Sequence, residues 1–256
     1  MKNKTVLLGL NELNFDYIKF YIDQGLLPNF KIIIDTQKPI ETTSENDHKL
    51  LEPWIQWTSV HTGKTFEEHK VFRLGDIVDR PELSQIFEEL ESEGLSVGAV
   101  SPFNAANRLK EASFFIPDPW TITKISGNGI IKALYQAIHQ SVNDNAQEKI
   151  NLKSLFSLVL GLLLYVPLSR WTHYIKCLLN KNRPGTKAII LDSLLADVFI
   201  KMWKNKIPDF SNLFLNAGAH IQHHYLFNSA AYKGSLKNPD WYCDEDFDPF
   251  IKVLEE

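Results

Sequence analysis

Cysteine is nearly missing from this chain: 256 residues contain two, Cys177 and Cys243. Two thiols without metal-ligand spacing exclude a disulfide framework and a cysteine-based zinc site, and both are expected to stay reduced. A basic excess is missing too. Twenty-seven Lys and Arg face thirty-one Asp and Glu, a formal charge of −4, and the cations are scattered. Such a chain lacks the counterion-displacing stripe of a nucleic-acid binder, so nucleic acid is set aside as a partner. At the start, "MKNK" leads into "TVLLGLNEL", an apolar stretch too short for a signal-peptide core and followed by acidic residues without a small-residue cleavage site. A cytoplasmic location is the expectation. Long apolar runs are scarce. The one membrane-like stretch, Leu155 to Ser169, is shorter than a spanning helix and contains Pro167. It reads as a buried or interface helix, with contact to a membrane surface as the alternative. No internal repeat or low-complexity tract occurs.

What is present suits a sizeable core: 44% of residues are hydrophobic and 12% aromatic. Thr5 to Leu10 is a short β-branched apolar run, and the following "NELNFDYIKFYIDQG" places Leu13, Tyr17, Phe20 and Tyr21 at helical spacing before Gly25. That is a strand feeding a helix. "PELSQIFEELESEG" reads as a helix with Pro81 in its first turn and Gly94 as its stop, and "LSVGAVSP" as the next strand. "DSLLADVFIKMWKNK" and "DFSNLFLNA" form a third helix and strand pair. Helices alternating with buried strands predict an α/β fold, a mostly parallel sheet with helices on both faces. The stretch from about 120 to 182 breaks the rhythm and reads as a helical insertion within one domain covering residues 1–256.

In open α/β sheets, ligands gather beyond the carboxyl ends of the strands. Three places qualify: Asn11 and Glu12, Ser101, and the cluster His220, His223 and His224. On a helix, His220 shares a face with His223 and His224, a spacing that suits one metal ion; the bland alternative is exposed imidazoles beside one core histidine. Asn11 and Glu12 are either helix caps or oxygen ligands. "LLEPWIQWTSVHTGK" predicts a helix of about three turns, with Glu52 at the N-cap, Pro53 in the first turn and Gly63 closing it. An anion bound at its start would meet free backbone N–H groups. Otherwise the helix simply shows Trp54 and Trp57 to the core, with Thr58, Ser59 and His61 as polar decoration. His69 and Asp76 are either further site residues or, equally, surface residues.

Together these pieces resemble the alkaline phosphatase superfamily, in particular its type I phosphodiesterase and nucleotide pyrophosphatase branch. "VLLGLNELNFDYIKFYIDQGLLPNF", "WTSVHTGKTFEEHKVF" and "NAGAHIQHHYLF" are similar, in this order, to three of its motifs. The resemblance implies an alkaline-phosphatase-like fold. It also implies a metal-dependent phosphoric or sulfuric ester hydrolase or phosphotransferase, with zinc or manganese as cofactor and a small phosphate or sulfate ester as substrate. The metal shell then falls on Asn11, Glu52, His220 and His223. Pro53 occupies the family's nucleophile position, so Thr58, further along the same helix, is the candidate nucleophile. Family members carry an Asp-His pair and another His downstream, whereas here no His follows His224. A second chain supplying the remaining ligands is one expectation. A non-catalytic anion- or glycan-binding or scaffold domain that keeps the fold is the other.

Overall fold

The computed structural model describes residues 3–143, 152–180, 185–236 and 248–255, so Cys243 lies outside the described residues. The chain divides into two compact units: one runs up to Gly9 and includes Ser44–Leu168 and Leu194–Phe214, and the other comprises Leu10–Thr43, Ser169–Ser193 and the residues from Leu215 onward.

Four strands form one sheet, β1 (Thr5–Leu10), β2 (Val97–Val100), β3 (Phe114–Ile116) and β4 (Phe210–Leu215), in the order β1-β4-β2-β3. β2 is parallel to both β3 and β4, with Gly98 opposite Phe114 and Ser211. β1 runs the same way beside β4, since Thr5 N–H donates to Asp209 at one end and Asn11 N–H to Leu215 at the other. The expected α/β class with a parallel sheet is therefore present. β2 is buried at every position, which explains its unbroken Val-Gly-Ala-Val run where a half-exposed strand would alternate. At Gly98 an added Cβ would lie 2.5 Å from the Phe114 ring, so glycine lets the neighbouring strand lay its aromatic across β2.

In the first unit, α3 (Pro53–Thr62) has the bounds that its sequence predicts, with N-cap Glu52 and Gly63 at φ 64. α4 (Phe66–His69) follows with a Thr65/Glu68 capping box. α5 (Ile86–Ser92) starts later than expected: Pro81 precedes it, and the Gln85/Glu88 capping box opens it. Gln85 is held there because its buried amide accepts from Ala106 N–H and donates to Ala106 C=O. The core of this unit sets Phe87, Val97, Ala99, Leu109, Phe115 and Phe210 together. The expected insertion contains the helices α6 (Gly129–Asn143) and α7 (Leu152–Tyr165), but residues 120–128 are irregular and carry a bridge from Ser126 to Phe115. α8 (Trp171–Leu179) belongs to the second unit.

In the second unit, α1 (Phe15–Asp23) begins at Asn14, whose side chain accepts from Asp16 and Tyr17 N–H groups. Neither Asn11 nor Glu12 is therefore the helix cap. α2 (Pro28–Thr36), α10 (Ala217–Tyr225) and α11 (Pro249–Glu255) complete it, around a core of Ile18, Tyr21, Leu27, Ile221, Phe250 and Leu254. The long α9 (Thr186–Lys206) starts in this unit and ends in the other.

Candidate functional site

The residues following β1 and β4 in the chain meet in the second unit. Asn11, buried, donates from Nδ2 to Asn216 Oδ1 at 2.9 Å, while its backbone N–H bonds Leu215 C=O. Asn216 is the first residue of the α10 boundary, and Asp192 of α9 accepts from Ala217 N–H at 2.6 Å. A carboxylate at a helix N-terminus neutralises an orphan N–H and the positive end of the dipole. Burial nevertheless raises the Asp192 pKa to about 6, with the Ala217 and Asn216 N–H groups working against that rise. Asp192 escaped sequence reasoning. It is one of two acids in a helix that also carries four lysines, and nothing in the sequence singled it out.

Glu12 adopts the left-handed region at φ 54, a conformation that costs a residue with a side chain on the order of 1–3 kcal/mol. The surroundings over-determine it. Its carbonyl accepts from Gln222 Nε2, and its carboxylate Oε2 lies 2.5 Å from His223 Nε2. Gln222 also accepts Asn14 N–H at 2.8 Å. At Gly218 an added Cβ would sit 2.3 Å from Leu13 Cδ2, so α10 lies directly on the 11–14 loop. α10 is a helix, as the histidine spacing required, and all three imidazoles are exposed. The ring centroids of His220 and His224 are 4.7 Å apart. His220 keeps an exposed edge, yet nearby protein displaces enough water to lower its pKa, and His224 and His223 lower it further. Both effects favour its neutral form.

The structure thus joins Asn11, Glu12 and Asn216 to His223, and His220 to His224. It does not gather a complete metal shell: among the described residues no group of three His, Cys, Asp or Glu is placed to hold an ion. Glu12 and His223 are close enough to share one, but a catalytic zinc ordinarily keeps three protein ligands. No chemical step is therefore routed through a metal below.

Glu52 and Thr58 lie in the first unit. Glu52 is exposed and makes no side-chain cap bond among the described residues. Thr58 is fully buried; its hydroxyl donates to Trp54 C=O at 2.8 Å and accepts from Asn104 Nδ2 at 3.1 Å. Asn104 (φ 48) in turn takes Gly75 N–H on Oδ1 and gives its own N–H to buried Asp118. The threonine hydroxyl therefore joins α3 to the loop after β2, a structural use that leaves no free face for attack on a substrate. Ser101, the residue next to β2, is buried at φ 56 and donates its N–H to Ile116 C=O.

Two histidines of this unit turn inward. His69 is buried rather than on the surface: Nδ1 accepts Val71 N–H at 2.9 Å, so Nε2 carries the proton and donates to Ser59 Oγ at 3.1 Å. His61 is a core residue beside Trp57 and Phe87, and neither ring nitrogen has a hydrogen-bond partner among the described residues. Apolar and polar residues interleave around α3, so its sequence gave no indication which polar side chains would turn inward.

Comparison with protein-family models, with curated proteins and with solved structures finds no match to this chain. Fold and site define an α/β protein with a parallel sheet and a polar cluster on the segments that leave β1 and β4.

Proposed function

We propose that this chain is an alkaline-phosphatase-like domain that handles a small phosphoric or sulfuric ester, as a metal-dependent hydrolase or phosphotransferase. The observation carrying this reading is the convergence of Asn11, Glu12, Asn216 and His223 just beyond two adjacent parallel strands, with Glu12 held in a strained conformation. That is where α/β sheets place ligands, and strain persists where a site over-determines it. Glu12 orients His223, which then serves as a proton carrier for a bound ester. Asn11 and Asn216 present neutral oxygens, and His220 in its neutral form offers a nitrogen lone pair. Zinc or manganese would supply the Lewis acid, with the missing ligands donated by a second chain.

Metal content after exposure to zinc or manganese, together with turnover of p-nitrophenyl phosphate, bis-p-nitrophenyl phosphate and p-nitrophenyl sulfate, tests this. The expected result is bound metal and turnover, both lost in Glu12→Gln and His223→Ala. Well-folded protein with neither metal nor turnover defeats the proposal.

A second reading, a non-catalytic anion- or glycan-binding domain, is favoured by Thr58, whose hydroxyl is committed to Trp54 and Asn104. It expects anion binding that survives replacement of His220 and His223.

A further inference from the structure

Cys177 has a histidine for company on α8. His173 lies one turn earlier, so the two side chains share a face of the helix. The cysteine Sγ is 3.9 Å from His173 Nδ1 and 3.7 Å from Nε2, within hydrogen-bonding range for sulfur. Ser193 comes from α9, in the same compact unit, and its hydroxyl is 3.0 Å from His173 Nε2. The ring of buried Tyr174 stands edge-on to the imidazole, with centroids 5.3 Å apart. The imidazole is thus held from two sides. Thiol and imidazole are both half-buried, so each keeps access to solvent.

A thiol, a base within reach of its proton and a third group that orients the base make up the arrangement that activates a nucleophile. The thiolate is the attacking form, and a neighbouring imidazolium favours it. With the Ser193 hydroxyl accepting from Nε2–H, Nδ1 keeps its lone pair and serves the thiol as base. A metal ion suits the cluster less well. It offers one sulfur and one nitrogen without a carboxylate, and among the described residues no three His, Cys, Asp or Glu are placed to hold an ion. The sulfur of a disulfide, by contrast, needs only the thiolate. We infer that Cys177 is a nucleophilic thiol that exchanges with small disulfides, with His173 as its base and Ser193 as the positioning residue. His173 Nδ1 takes the proton from Sγ, and the thiolate attacks one sulfur of the disulfide. A new S–S bond forms as the old one breaks, and the departing thiolate takes the proton back from His173. Cys177 is oxidised to a mixed disulfide, while the other half of the small disulfide is reduced to a thiol.

None of the residues proposed for ester chemistry takes part, so the two can be tested apart. Cys243→Ser leaves Cys177 as the sole thiol of the full chain. Its rate of reaction with dithiobis(nitrobenzoate), an aromatic disulfide, is measured from pH 5 to 9, for the folded chain and for the chain unfolded in urea. At pH 6 the folded chain should react on the order of tenfold faster, because the unfolded one follows the small thiolate fraction of a free cysteine. His173→Gln, its helicity verified by circular dichroism, should return the folded rate to the free-thiol profile. Ser193→Ala should move the profile part of the way, and serves in its place should the histidine variant not fold. With glutathione disulfide, mass spectrometry should find one glutathione on Cys177, and none when Cys177→Ser is made on the same background. A folded rate at pH 6 no greater than the unfolded one overturns the inference. A profile that neither His173→Gln nor Ser193→Ala shifts overturns it too, as does the lack of a glutathione adduct.

Discussion

His61 offers a measurement in which burial alone sets the outcome. It is 2% exposed, lies between the rings of Trp57 and Phe87, and finds no partner for either nitrogen among the described residues. Burial lowers its pKa from the ordinary 6.5 to about 4. A histidine whose folded pKa is depressed supports the fold fully above its unfolded pKa, and that support drains away as pH falls through 6.5 toward 4. The interval corresponds to about 3 kcal/mol, a large part of a typical stability of roughly 5–15 kcal/mol. Replacing His61 by leucine removes the titration and the unsatisfied nitrogens. At pH 7.5 the variant should be more stable on the order of 1–3 kcal/mol, because an unpaired buried polar group is costly. At pH 4 its advantage should be greater by about 3 kcal/mol. Urea unfolding followed by tryptophan fluorescence, with both proteins measured across this range, provides the comparison. Titrations elsewhere, including the buried carboxyls of Asp118 and Asp192, are common to both proteins and cancel in the difference. An advantage that stays constant from pH 7.5 to 4 would refute the reasoning, because it would mean that the ring takes its proton as easily folded as unfolded.

Two further outcomes follow from packing and charge. Asp192→Asn keeps an oxygen toward Ala217 N–H but cannot ionise; since burial raises the Asp192 pKa to about 6, wild-type stability should decline relative to the variant as pH rises through that value. Denaturation at pH 5 and 8 checks this, and a variant that loses ground at pH 8 counts against it. Gly9→Ala places a Cβ 2.7 Å from the Trp57 ring, which also packs edge-on to Phe214. A loss of roughly 1–3 kcal/mol in unfolding free energy is expected, and an unchanged midpoint would show that the indole moves aside without strain.

The local elements were legible because their signals are local. Glu52, Pro53 and Gly63 bound α3 in the sequence as they do in the molecule, and the apolar runs at Thr5, Val97 and Phe210 are its strands. Missed elements were short or masked by context: β3 is three residues, and α5 starts where Gln85 locks onto Ala106 rather than at Pro81.

Which side chains meet was decided by tertiary structure alone. Asn11 reaches Asn216, and Glu12 reaches His223, because β1 and β4 are neighbours despite some 200 intervening residues. No periodicity encodes that pairing; it follows from which strands share hydrogen bonds and apolar faces. The same holds for burial. α3 interleaves apolar and polar residues, and α7 is apolar around most of its circumference, so neither sequence fixes the inward face. Packing then chose Thr58 and His61 for the interior of one helix, and Gly161, where Leu134 leaves no room for a larger side chain, for the interior of the other.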